Sequence, residues 1–203
     1  MYGVLRQYQI DPKNADRILK EGKEVVVPQL QAIPGFVSFV AVDSGDGTLM
    51  TFSAYETRAG ADESVRKAAT AIREKLSDVL PNPPKVTPAE ILVRELTGTP
   101  LSGTAYGVMR RYQTDLRNVN QIVERARDGF VPLIRSQPGF RSYQILDAGN
   151  GTLVTLTAFE TRAGAEDSVT RAATWVRENL ASLLPNPPEV TRGEIKLMVM
   201  AQK

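Results

Sequence analysis

The chain of 203 residues contains the same segment twice, at a constant offset of 104 residues. Residues 2–96 align with residues 106–200 without a gap, and roughly 45 of about 95 aligned positions are identical, far more than unrelated segments share by chance. The clearest matches are YGVLRQYQ at 2–9 with YGVMRRYQ at 106–113, PGF at 34–36 with PGF at 138–140, ETRAGA at 56–61 with ETRAGA at 160–165, and LPNPP at 80–84 with LPNPP at 184–188. The repeat therefore predicts two copies of one folding unit.

The segment between the copies, TGTPLSGTA at 97–105, is rich in Gly, Thr, Ser and Pro. This composition is typical of a flexible linker. We therefore expect a first unit at 1–96, a linker at 97–105 and a second unit at 106–203.

The chain contains neither histidine nor cysteine, which removes several kinds of chemistry. Without cysteine there are no disulfides, zinc–thiolate sites, iron–sulfur clusters or cysteine nucleophiles. Without histidine the commonest metal ligand, the commonest general base and the usual proximal haem ligand are missing. A metal site would need carboxylates alone, and the sequence clusters none, so we expect no metal and no cofactor.

The charge pattern and the N-terminus limit the expected partners and location. The formal net charge is +2, from 25 basic and 23 acidic residues without a long run of one sign, which indicates neither nucleic acid nor a membrane surface as a partner. The N-terminal MYGVLRQYQI lacks the regions of a signal peptide, and no apolar stretch approaches the ~20 residues that cross a bilayer. We expect a cytoplasmic protein.

Each copy has the pattern strand, helix, strand, strand, helix, strand. Strands are expected at 2–9, 36–43, 48–56 and 89–96 in the first copy, with the last strand of the second copy at 193–201. The first helix starts at Pro12 and should kink at Pro28, because proline removes a backbone donor. Asp46-Gly47 and Asn150-Gly151 predict hairpins. The second helix has one apolar face, formed by Val65, Ala68, Ala69, Ile72, Leu76 and Val79.

The order βαββαβ is the ferredoxin-like arrangement. We expect the four strands of each copy to form an antiparallel sheet with both helices on one face. The other sheet face is also apolar and must be covered, since a unit of ~100 residues alone would expose too much apolar surface. The predicted fold is α+β, with two ferredoxin-like units packed sheet to sheet.

The sequence resembles the dimeric α+β barrel superfamily and, within it, the antibiotic biosynthesis monooxygenase-like domains. The resemblance rests on the βαββαβ order, on Pro28 and Pro132 before PGF, and on the Gly-Asp/Asn-Gly hairpin, and it covers both copies. It implies a single-chain form of the barrel, with a ligand cavity between helices and sheet in each unit. The haem-degrading branch uses an axial histidine, so haem degradation is disfavoured here. The cofactor-independent oxygenases use Asn, Trp, Tyr and Arg around an aromatic substrate.

The first strand of each copy supplies the main candidate site residues. Arg6 and Tyr8 share one face of their strand, and Arg110 and Tyr112 repeat them. Such a pair could stabilise an enolate or phenolate anion in a half-apolar cavity. The structural interpretation, which we favour, pairs Arg6 with an acidic neighbour and makes Tyr8 a core aromatic.

Other candidates differ between the copies, so two cavities would differ in size and polarity. Trp175 stands opposite Ala71, Tyr55 opposite Phe159, and Tyr143 opposite Phe39. Large aromatic residues are mostly buried for packing, which is the favoured interpretation of Trp175. The full set of pocket candidates is Arg6, Tyr8, Tyr55, Arg110, Tyr112, Tyr143 and Trp175.

Three functions remain open. The first is binding of a small apolar or aromatic molecule, which we rank slightly ahead because no set of acid, base and orienting residue can be named. The second is a cofactor-independent monooxygenase of the antibiotic biosynthesis type. The third is a structural module with a filled interior. Association into a further homodimer is also left open.

Overall fold

The computed structural model describes residues 1–97 and 104–201, so most of the predicted linker, residues 98–103, lies outside the described residues. The first copy consists of β1 (Tyr2–Gln9), α1 (Ala15–Glu21), α2 (Val27–Gln31), β2 (Phe36–Asp43), β3 (Thr48–Tyr55), α3 (Arg58–Lys75) and β4 (Lys85–Leu96). The second copy consists of β5 (Ala105–Gln113), α4 (Val119–Arg125), α5 (Val131–Arg135), β6 (Phe140–Asp147), β7 (Thr152–Phe159), α6 (Arg162–Asn179) and β8 (Glu189–Met200). The order βαββαβ is therefore as predicted, and the last strands start earlier than predicted.

The predicted kink in the first helix is a π-helical turn. Gly22–Val26 forms this turn between α1 and α2, and Pro28 lies in the first turn of α2. The π turn changes the hydrogen-bond register just before the residue that cannot donate. The second copy repeats the feature at Ala126–Phe130, directly before the turn that contains Pro132.

Both hairpins lie where the sequence predicts them. Gly47 and Gly151 have φ angles of 91° and 72°, in the region that glycine adopts without strain. At Gly151 space is limiting as well, because a Cβ atom would lie 2.0 Å from the carbonyl oxygen of Thr114. This close approach follows from the hydrogen bond that the Thr114 amide donates to the Gly151 carbonyl.

The strands do not all pair within their own copy. β1, β3 and β2 are neighbours in that order, with Tyr2 opposite Tyr55, and β5, β7 and β6 repeat this pattern. The outer edge of β6 pairs with β4 of the first copy, with Glu90 opposite Asp147. Beside β2 lies β8, and the Ala201 amide donates to the Val37 carbonyl. The strand order closes on itself, so β4 is also the neighbour of β1 and β8 is the neighbour of β5. Each copy therefore has the complete four-stranded sheet that the sequence predicts, and the additional pairs join the sheet edges of the two copies.

As a result, the chain forms two compact units that each combine parts of both copies. Unit 1 is Met1–Ala89 with the end of the chain from Ile195, and unit 2 is Glu90–Glu194. In unit 1 the helices pack on a core that includes Val4, Tyr8 and Leu49, with Leu197 and Val199 against it. None of the helices in the described ranges is both long and apolar enough to cross a membrane.

The second helix of each copy packs with a slightly different face from the predicted one. Ala68 and Leu76 are buried as expected, whereas Ala69 is exposed. The centre of the buried face is shifted towards Ser64, which is fully buried, and Ala71. Ser168 occupies the same position on α6. These buried serines prove to be part of the candidate site.

Candidate functional site

Arg6 points from β1 into the space between the sheet and α3, and it is only 3 % exposed. Its Nη1 donates to the hydroxyl of Ser53 at 3.0 Å, and its Nη2 donates to the hydroxyl of Ser64 at 2.8 Å. The Ser64 hydroxyl donates in turn to the carbonyl of Ala61, 2.7 Å away, which leaves its lone pairs for the arginine. Two hydroxyl groups thus hold the guanidinium in one orientation.

Arg110 repeats this arrangement in unit 2, where it is 1 % exposed. Its Nη1 donates to Thr157 at 3.0 Å and its Nη2 to Ser168 at 2.8 Å. Its Nε, also buried, has no hydrogen-bond partner among the described residues. The second site therefore retains one unused donor on a fully buried cation.

Neither guanidinium has a carboxylate partner in the part of the chain that the structure describes. Burial lowers the pKa of Arg6 and of Arg110, opposed only by nearby tyrosine phenols. An arginine side chain nevertheless keeps its charge in proteins, because its ordinary pKa is far above neutrality. A buried charge without a counterion is costly, so both positions favour binding of an anion.

Tyr8 and Tyr112 lie next to these arginines on the same strands. Burial raises the pKa of the Tyr8 phenol, while the charge of Arg6 lowers it. Burial likewise raises the pKa of Tyr112, against the opposing charge of Arg110. Both phenols therefore stay protonated at neutral pH and can donate a hydrogen bond.

Unit 1 has a small cavity and a larger groove that share Arg6 and Tyr8. The cavity lies under α1 and the π turn and has a volume of about 50 Å³. By the same measure the groove, between α3 and the following LPNPP segment, is about 320 Å³. Val65, Ile72 and Leu80 line the groove with apolar surface. The arginine and the phenol thus form the polar end of an otherwise largely apolar site.

The equivalent cavity of unit 2 is smaller, about 30 Å³ by the same measure. Trp175 and Phe130 line it, with their ring centroids 5.4 Å apart. The corresponding residues of the first copy are Ala71 and Val26, so larger side chains take up the space in the second copy. Tyr143 completes the aromatic cluster, 5.4 Å from Phe130 between ring centroids.

The structure brings together six of the seven pocket candidates, in two sets. Arg6 and Tyr8 line the unit 1 site, and the unit 2 cavity is lined by Arg110, Tyr112, Tyr143 and Trp175. Tyr55 lines neither cavity, although it lies close to Arg6 and interacts with it electrostatically; it is fully buried and edge-to-face with Phe36 at 5.9 Å. The interpretation that an acidic neighbour neutralises Arg6 is wrong, because hydroxyl groups hold it instead.

The sequence analysis missed the residues that hold the arginines. Ser64 and Ser168 lie inside helices, where serine has no special propensity and is usually exposed. The only available signal was their spacing of four residues from Ala68 and Ala172 on the buried helix face. Thr51 and Thr155, which line the two cavities from the third strand of each copy, were missed as well.

Among the described residues, no group of three or more Asp or Glu side chains could hold a metal ion. No family model matches the chain. No curated protein matches its sequence either.

Solved structures give full-length matches at low sequence identity. An anthrone oxidase-like protein aligns with 12% identity over 100% of this chain and 94% of its own, with a TM-score of 0.70. A proposed monooxygenase from Fusobacterium nucleatum aligns with 9% identity over 100% and 94%, with a TM-score of 0.74. A proposed monooxygenase from Lactobacillus acidophilus aligns with 8% identity over 98% and 96%, with a TM-score of 0.75. The chain therefore has the same fold as these three proteins, a mixed α+β fold with an antiparallel sheet.

Proposed function

We propose that the protein binds a small aromatic organic anion in the unit 1 groove, with the negative group at Arg6 and Tyr8. The observation that carries this proposal is a buried guanidinium, to which the described residues supply no carboxylate, at the end of a groove of about 320 Å³. Ligand sites of small molecules have volumes of ~300–1,000 Å³ and combine apolar walls with a few polar groups. The groove meets both conditions.

The charge of Arg6 selects the ligand class. A carboxylate, enolate or phenolate supplies a counterion for the Arg6 guanidinium. Hydrogen bonds between charged groups of this kind are about twice as strong as neutral ones. The apolar side chains of α3 provide the surface for an aromatic ring. Arg73, an exposed residue at the rim of the groove, adds a second positive charge that favours anions.

Isothermal titration calorimetry with 1-naphthoate, and with the neutral 1-naphthamide as a matched compound, tests the proposal. We expect one naphthoate per chain and at least tenfold weaker binding of the amide, since a hydrogen bond to a charged group contributes ~1.5–3 kcal/mol. Arg6→Met should abolish naphthoate binding, whereas Arg110→Met, the same change at the equivalent position, should leave it intact. Equal binding of both compounds, or an equal effect of both variants, would contradict the proposal.

A second candidate is a cofactor-independent monooxygenase acting at the same site. Two structural neighbours are described as proposed monooxygenases and one as anthrone oxidase-like. In such a reaction the bound substrate anion reduces dioxygen, forms a hydroperoxide and loses water to leave a quinone. Arg6 would favour the anion by electrostatic stabilisation. The third candidate, a module with a filled interior, is less favoured because the groove is open.

Oxygen consumption separates the two candidates. Anthrone and 1,4-naphthohydroquinone should be oxidised faster with the wild-type protein than with Arg6→Met if the protein is an oxygenase. Arg110→Met again serves as the matched control. Binding of naphthoate without any protein-dependent oxygen uptake identifies a binding protein.

A further inference from the structure

We propose that unit 2 binds one small monovalent anion, of the size of chloride, in the small cavity at Arg110. This site is separate from the unit 1 groove and does not depend on the function proposed for it. The ligand is inorganic, and its role is to neutralise the buried arginine of the second copy.

The first argument is the charge. Arg110 is 1 % exposed, and the described residues supply hydroxyl groups but no carboxylate to it. Hydroxyl groups orient a cation without neutralising it. A water molecule in the cavity would also leave the charge in place, whereas a halide ion removes the cause of the penalty.

The second argument is the set of unused donors. The Nε of Arg110 and the hydroxyl of Thr155 are both buried and have no hydrogen-bond partner among the described residues. Arg110 and Thr155 line the same cavity, together with the phenols of Tyr112 and Tyr143. Buried polar atoms are nearly always hydrogen-bonded in proteins. Four side chains that can each donate a hydrogen bond thus line one small cavity.

The third argument is the size of that space. The volume of the cavity is about 30 Å³, and one water molecule needs a cavity volume of ~10–15 Å³. The cavity therefore has room for two or three particles of the size of water, and one chloride ion fits in it. Trp175 and Phe130 occupy the region where the first copy has Ala71 and Val26, so an aromatic ligand does not fit. Sulfate and phosphate are too large and carry more charge than one arginine neutralises.

Trp175 provides a direct readout, because it is the single tryptophan of the chain and lines this cavity. Bromide should quench its fluorescence by static binding, which lowers the intensity along a saturating curve and leaves the lifetime unchanged. Chloride, at constant ionic strength maintained with gluconate, should reverse that quenching by competition. Arg110→Met should leave only the linear, lifetime-shortening quenching of a partly exposed tryptophan, and Arg6→Met should behave as the wild type.

A second measurement covers the case in which Arg110→Met fails to fold. Thr155→Val removes one donor at nearly constant volume, and it should weaken bromide binding at least threefold. Crystals soaked in bromide should show one anomalous peak within hydrogen-bond distance of Arg110. Quenching of the wild type that is linear and insensitive to chloride, or a bromide-soaked crystal with only water at Arg110, overturns the proposal.

Discussion

Trp175 packs directly over Gly129, and a Cβ atom at that glycine would lie 3.0 Å from Cζ2 of the tryptophan. The first copy has Val25 and Ala71 at the equivalent positions, a larger residue facing a smaller one. The two changes are complementary, and they show how the second copy accommodates an indole ring beside its cavity. The size of each cavity is therefore set by a pair of positions on the first and second helices.

The pairing predicts that Gly129→Ala and Trp175→Ala are energetically coupled. Alanine inside a helix is favoured over glycine by ~0.8–1 kcal/mol, and this gain should appear only in the Trp175→Ala background, where the methyl group has room. With Trp175 present, the contact should offset the gain. Urea denaturation of the four proteins measures the coupling, which we expect to be at least ~0.5 kcal/mol. Additive effects would show that the indole ring moves aside without a cost in the free energy of unfolding.

The buried serines predict a large effect for a small change. Ser64→Ala removes the hydroxyl that accepts a hydrogen bond from Arg6, and Ser168→Ala does the same for Arg110. Each should lower the free energy of unfolding by ~1–3 kcal/mol, because a charged donor is left unpaired. Ser182→Ala, at an exposed position, should stay within ~0.5 kcal/mol. Chemical denaturation measures all three, and a neutral Ser64→Ala would contradict the importance of this contact.

The buried phenols predict a loss of stability at alkaline pH. Burial raises the pKa of Tyr143 above its ordinary value, and the nearby Tyr112 raises it further. A tyrosine in the unfolded chain loses its proton near pH ~10, while the folded protein retains it. The unfolded state thus binds fewer protons above that pH, so the stability falls as the pH rises.

Tyr143→Phe tests this assignment, since Phe39 is the natural residue at the equivalent position. Urea midpoints measured between pH 8 and pH 11 should decrease for the wild type and decrease less steeply for the variant. Tyr2→Phe, a change at a partly exposed residue of β1, provides the control and should retain the wild-type slope. Identical slopes for wild type and Tyr143→Phe would place the titrating group elsewhere.

The fold class could be predicted from the sequence because every copy repeats the same periodic pattern. The two copies predict the same strands, helices and hairpins, so a pattern that arose by chance in one copy would not be repeated in the other. The pairing of β4 with β6 and of β8 with β2, across the two copies, could not be predicted in this way. The edge positions beside β2 and β6 have similar sequences in both copies, and hydrophobic pattern alone does not distinguish which fourth strand pairs with which edge.

The candidate site could be predicted in part. The alternation of β1 places Arg6 and Tyr8 on one face, and the structure has them there. The partners of Arg6 could not be predicted, because Ser64 is 58 residues away and gives no local signal. The same limit applies to cavity size, which depends on contacts such as the one between Trp175 and Gly129.

The pairing of β4 with β6 has a consequence for any attempt to divide the molecule. In a fragment that stops after Leu96, β4 keeps its neighbour β1 but loses β6, and β2 loses the neighbour that the end of the chain supplies. Such a fragment can satisfy both edges only by pairing them with the sheet edges of a sister molecule. Cutting the gene at the repeat boundary should therefore yield an obligate pair of half-length chains, in place of two independent proteins.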